Sequence, residues 1–250
     1  VKVVYDKPGF LRGLPFTYCS GCTHGVIHKL VAESITELGL EGRVIGVAPV
    51  GCAVMCQSFF ACDMIQAAHG RAPAVATGLI RAVPDGVVFT YQGDGDLAAI
   101  GTAETIHAAG RGENIVIIFV NNAIYGMTGG QMAPTTLTGQ VTQTSPYGRQ
   151  TDTAGYPIKV CEMLATMEGV SYAERVSVHR APEIRKAKKA IKKAFEYQSS
   201  GRGFSIVEVL STCPTNWGLT PVEALDWLAD NLIPHFPLGV YKDKFAGEAK

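Results

Sequence analysis

Apolar residues in this chain fall into two kinds of run. Short, valine- and isoleucine-rich ones occupy 44–48, 87–90, 115–120 and 206–210, with a less regular one over 171–178. Runs of this length bounded by glycine, asparagine or proline are what strands buried on both faces of a parallel sheet look like. The second kind recurs every three to four positions. Val26, Ile27, Leu30, Val31, Ile35 and Leu38 predict a helix over 26–38. Further helices are expected over 74–83, which Pro73 can open, and over 98–109, 158–168 and 182–197. Strands and helices alternate, so the expected class is α/β, a mostly parallel sheet with helices on both faces. No repeat, low-complexity tract or linker interrupts the order, and 1–250 reads as a single domain.

Three segments stand outside this pattern. Residues 1–16 carry Pro8, Gly9, Gly13 and Pro15 without a lasting period, which predicts an extended lead-in over the surface. Residues 132–157, rich in threonine, glycine and proline, are long for a connection in a compact domain, so they are expected to line a site or a subunit interface. The tail from 217 onward carries Leu225, Trp227, Leu228, Leu232, Ile233, Phe236 and Leu238. That is more apolar surface than a free tail can shed, and packing against another subunit is the expected use for it.

The chemistry gathers where predicted strands end. The run 87–90 leads into Tyr91-Gln92-Gly93-Asp94-Gly95-Asp96-Leu97, and the run 115–120 ends on Asn121-Asn122 and then Tyr125-Gly126-Met127-Thr128-Gly129-Gly130-Gln131. In an open parallel sheet both turns fall at the carboxyl ends of neighbouring strands, where ligands bind. A diphosphate held through Mg²⁺ needs hard oxygen ligands, with only one or two carboxylates among them. Asp94, the Asn122 amide and a nearby backbone carbonyl suit that demand, and the glycines remove Cβ atoms where backbone must approach phosphate.

Gly-Asp-Gly, a helix, a strand and Asn-Asn, in that order, resemble the diphosphate motif of thiamine diphosphate enzymes. The continuation Tyr125 to Gln131 resembles the 2-oxoacid:ferredoxin oxidoreductases in particular. The likeness spans nearly the whole chain and implies a thiamine diphosphate-binding fold and the β subunit of such an enzyme. Cofactor contacts would then come from Gly51, Gly93, Asp94, Gly95, Asp96, Asn122, Ile124, Tyr125, Gly126, Met127, Thr128 and Gly129, with Asp94, Asn122 and the Ile124 carbonyl on Mg²⁺. His69 and Arg71 would face the cofactor or the substrate carboxylate, a role that suits a guanidinium fork. A satisfied turn histidine is the competing reading of His69, as it is of His24, whereas His28 and His107 read as structural or surface residues.

Seven cysteines in a chain with no export signal at its start do not read as a disulfide framework. Cys19-Ser20-Gly21-Cys22, just ahead of the helix over 26–38, fits a redox pair, a zinc half-site or two ligands of an iron-sulfur cluster, and spacing alone does not choose. Cys52 and Cys213 each follow a predicted strand and can join that pair at one sheet edge. The family resemblance implies that Cys19, Cys22, Cys52 and Cys213 hold a 4Fe-4S cluster, with Cys62 as the reserve ligand; a buried small hydrophobe is the competing reading of Cys52 and Cys213, and Cys56 and Cys161 read as buried apolar filler. Family members commonly carry glycine where this chain has Thr23.

Charge narrows the partners. Basic and acidic side chains cancel at 22 each, so no bulk field draws nucleic acid or an anionic membrane. Every apolar run is broken before bilayer-spanning length, which predicts a cytoplasmic protein with no membrane partner. Lysines 186, 188, 189, 192 and 193 form either a docking patch for ferredoxin or a solvated helix face, and the solvated face is the reading adopted. The resemblance implies oxidative decarboxylation of a 2-oxoacid, branched-chain or 2-oxoglutarate, with coenzyme A to acyl-CoA, CO₂ and reduced ferredoxin. It also implies an alpha-type partner subunit that supplies the pyrimidine-activating carboxylate, with gamma- or delta-type subunits as further members. Two other classes remain open: a non-redox thiamine diphosphate decarboxylase or synthase, and a cysteine-ligated metal or electron-carrier protein without thiamine chemistry.

Overall fold

The computed structural model describes residues 6–248. Seven strands form one sheet: β1 (Val44–Ala48), β2 (Asp63–Gln66), β3 (Val87–Gly93), β4 (Val116–Asn121), β5 (Val170–Ser177), β6 (Phe204–Leu210) and β7 (Gly239–Asp243). Their order is β2-β1-β3-β4-β6-β5-β7, and all pairs are parallel except that β7 runs antiparallel to β5. The central strands β4 and β6 are buried along their whole length, which explains their unbroken apolar runs. The two faces still alternate within those runs. Phe89, Tyr91, Val116 and Ile118 meet the helices His24–Glu37 and Ala181–Ser199 on one side. Val88, Ile117, Phe119 and Ile206 meet Ala72–Ala82, Thr102–Arg111 and Val160–Ala165 on the other.

After β2 the chain returns across β1 to lay down β3, so the strand order reverses between β1 and β3. The crevice beyond the carboxyl ends of strands at such a reversal is the standard ligand position in open α/β sheets. The turns Pro49–Cys52 and Gly93–Asp96 face each other there.

Four expectations need correction. The helix predicted over 98–109 is two pieces, a wide helical turn Gly95–Ile100 and the helix Thr102–Arg111. The Gly101 amide reaches back to the Asp96 carbonyl at 2.8 Å, a span of five residues. The segment around Gly70 presses on this break, where a Cβ on Gly101 would lie 2.7 Å from the Gly70 carbonyl oxygen. Strands β2 and β7 are absent from the apolar pattern because β2 is short and largely exposed and β7 lies inside the tail. That tail packs on its own chain: Leu228, Leu232 and Phe236 are buried with Ala123 and Leu210, and the Trp217 and Trp227 rings lie 4.4 Å apart. The lead-in is likewise anchored, with Phe10 and Leu11 buried against the segment that contains Phe60. Residues 1–5 of it lie outside the described residues.

Candidate active site

Gly93 of β3 pairs with Val120 of β4, so the turns that follow them emerge side by side. Asp94 is buried at 3% exposure. Its Oδ1 accepts the Gly95 amide at 2.9 Å, and its Oδ2 accepts the Thr135 hydroxyl at 2.6 Å and the Ile124 amide at 3.2 Å. Among the described residues no cationic side chain forms an ion pair with Asp94, and burial pushes its carboxyl up to about 6. A buried carboxylate without a counter-charge is costly, and a bound divalent cation would supply one. On the β4 side Asn122 Oδ1 accepts the Ile124 amide at 3.3 Å, and its carbonyl accepts Trp217 Nε1 at 3.2 Å. Between them Ala123 adopts φ 58°, a strained value for a residue with a Cβ.

A cavity of about 120 Å³ sits at the β1/β3 reversal, and every expected cofactor position except Gly129 lines it. Gly129 is exposed at the loop tip beyond. A larger groove of 730 Å³ runs along Lys189, Lys192 and Lys193. Lys188 and Lys192 pair with Glu37 at 2.6 and 2.9 Å, and Lys193 pairs with Asp243, as a solvated, internally neutralised face does. That groove lacks the buried carboxylates of the smaller cavity.

The two residues expected to face substrate part company. His69 lines the cavity with Nδ1 2.8 Å from Asp96 Oδ1. Arg71 lies outside the lining, where its Nη1 meets Glu104 Oε1 at 2.7 Å and the Ile100 carbonyl at 3.1 Å. Asp96 is turned inward, since it also accepts the Val50 amide at 3.2 Å, the Gly70 amide at 2.9 Å and Gln92 Nε2 at 2.8 Å. Its carboxylate thus ties the turns after β1, β2 and β3 together at the cavity wall. His24 also lines the cavity, with Nδ1 2.7 Å from the Tyr91 hydroxyl and its ring stacked 4.7 Å from Tyr18. Burial lowers it to about 4, so it is neutral near pH 7.

The turns that carry the four expected cluster ligands meet at one end of the sheet. A Cβ on Gly126 would lie 3.2 Å from Cys52 Sγ and 3.6 Å from Cys213 Sγ, so both sulfurs border the space where a side chain at 126 would project. Burial pushes Cys22 up to about 12, and the proximity of Cys213, Cys52 and Cys19 adds to the shift. Cys52 is pushed up to about 11 by burial, then by Cys213 and Cys19, and Asp94 adds a smaller push. Thiols that raise one another in this way are relieved by a cationic iron cluster, which takes them as thiolates. Thr23 clips the Cys-x-x-Cys turn to the end of β6, because its hydroxyl lies 2.7 Å from that of Ser211 and accepts the Thr212 amide at 3.1 Å. Cys62 instead lies 3.5 Å from Met64 Sδ and beside Cys56, while Cys161 is buried next to Glu208. Among the described residues no three His, Cys, Asp or Glu side chains close on one point as they would around a single ion.

Comparison with known proteins bears on this geometry. The family described as thiamine pyrophosphate enzyme, C-terminal TPP binding domain, matches residues 49–209. The ketoisovalerate oxidoreductase subunit VorA of Methanothermobacter thermautotrophicus is 49% identical over 243 residues, 97% of this chain and 51% of that protein. The 2-oxoglutarate synthase subunit KorB of Methanocaldococcus jannaschii is 37% identical over 227 residues, covering 88% and 79%. A 2-oxoglutarate:ferredoxin oxidoreductase from Magnetococcus marinus, solved with 2-oxoglutarate, coenzyme A and succinyl-CoA bound, matches with a TM-score of 0.79 at 26% identity, over 97% of this chain and 86% of that one. The chain spans about half the length of its VorA relatives.

Proposed function

The chain belongs to the thiamine pyrophosphate-binding subunits of the 2-oxoacid:ferredoxin oxidoreductases, and from that premise we propose that it is the β-type subunit of an enzyme converting a 2-oxoacid and coenzyme A to acyl-CoA, CO₂ and reduced ferredoxin. The observation that carries this reading is the contiguity of two sites. Asp94, Cys52 and Gly126 line the same cavity and Cys213 Sγ lies beside Gly126, so a diphosphate-metal site and a four-thiol site would share one crevice.

Asp94, Asn122 and the Ile124 carbonyl would hold Mg²⁺, with the loop from Tyr125 to Gly129 around the diphosphate. Cys19, Cys22, Cys52 and Cys213 would hold a 4Fe-4S cluster. Bound thiamine diphosphate supplies the carbanion chemistry of 2-oxoacid decarboxylation, and a neighbouring cluster accepts electrons one at a time. The protein's own part is to position and to shield. His69, with Nδ1 2.8 Å from Asp96 Oδ1, would offer the ligand one polar contact, and neutral His24 would offer a second without adding charge.

For the substrate, a 2-oxoglutarate would want a cation for its second carboxylate. A branched-chain 2-oxoacid makes no such demand, and the VorA relative is named for ketoisovalerate. The remaining partners in this reading are an alpha-type subunit, with gamma- or delta-type subunits, ferredoxin and coenzyme A, in the cytoplasm, where thiols stay reduced. Among the described residues no helix is long and apolar enough to cross a membrane. Iron, acid-labile sulfide and thiamine analysis of protein purified without oxygen, followed by viologen reduction with each 2-oxoacid, tests the reading. Thiamine without iron would favour a non-redox decarboxylase. Iron without thiamine would favour an electron carrier.

A further inference from the structure

The shortest contact on the Asp94 carboxylate comes from outside both motif stretches: Thr135 Oγ1 donates to Oδ2 at 2.6 Å. The next residue, Thr136, donates from its hydroxyl to the Ala123 carbonyl at 2.6 Å, and Ala123 is the strained residue of the β4 turn. Two successive threonines, both fully buried, therefore grip the two turns of the crevice from one segment. Arg149 makes that segment rigid. Its Nη1 donates to the carbonyls of Ala133, Pro134 and Thr136 at 3.2, 2.9 and 2.8 Å. Its Nη2 and Nε reach Ala154, Tyr156 and Gly155 at 2.9, 3.0 and 2.9 Å. The guanidinium thus binds the start of the long loop to its end through carbonyl dipoles.

We propose that Thr135 is a positioning residue for the divalent cation of the cofactor, locking Asp94 Oδ2 so that Oδ1 is presented to the metal, with Arg149 holding Thr135 in place. The proposal rests on reading Asp94 as the Mg²⁺ ligand. The terminal torsion of an aspartate is broad, so a carboxylate with one face unanchored rotates. Mg²⁺ demands near-ideal octahedral geometry and tolerates little of that rotation. Oδ2, with two donors against one on Oδ1, is the oxygen the protein has already committed.

The test compares Thr135→Val, nearly isosteric but without the hydroxyl, with Thr135→Ser, which keeps it, and with Asp94→Ala, in full-length protein with its copurifying subunits. The readout is the Mg²⁺ concentration giving half-saturation with thiamine diphosphate, followed by tryptophan fluorescence, together with the melting temperature of the cofactor-free protein. Valine should raise the Mg²⁺ midpoint about tenfold, the scale for losing one hydrogen bond to a charged group, while serine stays within about twofold of wild type. A merely structural threonine would lower the melting temperature and leave the Mg²⁺ midpoint unchanged, and that result overturns the inference. If Asp94→Ala loses Mg²⁺-dependent binding while Thr135→Val binds as wild type does, the role of Thr135 fails alone. If Asp94→Ala binds normally, the metal assignment fails with it. Should valine prevent folding, Thr135→Ala carries the same expectation.

Discussion

His69 Nδ1 and Asp96 Oδ1 lie 2.8 Å apart, and the same carboxylate is the acceptor for amides from two other turns. Asp96 therefore ties these turns together at the wall of the cavity it lines. Asp96→Ala would strand the buried Gly70 amide and Gln92 side-chain amide and the half-buried Val50 amide. The expected loss is about 3 kcal/mol of folding stability, the scale for a broken buried network, read as a lowered urea midpoint. An unchanged midpoint would show that Asp96 is not the tie between these turns.

Gly126 offers a test of the cysteine site that leaves every ligand in place. Its backbone conformation admits a Cβ, but that atom would come within 3.2 Å of Cys52 Sγ and 3.6 Å of Cys213 Sγ. Gly126→Ala should fold and bind less iron, with weaker absorption near 400 nm, the region expected roughly for thiolate-to-iron charge transfer. Serine at Cys19, Cys22, Cys52 or Cys213 should abolish that band, whereas serine at Cys62 or Cys161 should leave it. A band that survives Cys213→Ser would remove this cysteine from the set.

Much of this site was legible because its parts are local. Gly93 to Asp96 and Asn121 to Gly129 each declare a turn at a strand end, and Cys19 with Cys22 declares a ligand pair. The residues that escaped act across long sequence distances through single hydrogen bonds. Thr135 is 41 positions from Asp94, and Thr212 is 189 from Thr23. A threonine in a polar loop gives no periodic signal of what it will touch. Arg71 stands differently: its type suits a substrate carboxylate, and in this structure it pairs with Glu104 on the following helix. His24 and His28, four apart on one helix face, carried a signal that only their common burial makes plain.

Burial of those two histidines gives the fold an acid limit. His24 lies against Tyr18 and Tyr91, and His28 has its Nε2 2.7 Å from the Tyr18 hydroxyl, so tyrosine hydroxyls rather than carboxylates meet both rings. Burial lowers His24 to about 4 and His28 well below its ordinary value. Their folded pKa values thus sit below the unfolded value of about 6.5, so as pH falls through that value the unfolded chain takes up protons that the fold refuses. Stability should be lost progressively between about pH 6.5 and pH 4, by about 3 kcal/mol for His24 alone, and should not change on this account above that window. Urea midpoints at several pH values check this, and His28→Leu should flatten the slope. An equally steep slope in that variant would place the acid sensitivity elsewhere.

The cavity sets the last expectation. Pockets that enclose a ligand of cofactor size run to roughly 300–1,000 Å³. This chain provides about 120 Å³, lined almost wholly by residues that would meet a diphosphate, its metal and the thiols. A cofactor seated there would project past exposed Met127 into a region this chain does not wall. Tyr147, Tyr156 and Val141, at 93%, 77% and 63% exposure on the loop that Arg149 organises, offer the apolar surface a second subunit would cover. The tail, buried on its own chain, contributes little to that surface. The chain by itself should therefore bind thiamine diphosphate weakly and show no 2-oxoacid-dependent viologen reduction, and its alpha-type partner should restore both. Turnover by the purified chain alone, at a rate the complex does not exceed, would mean that the site is complete without a partner.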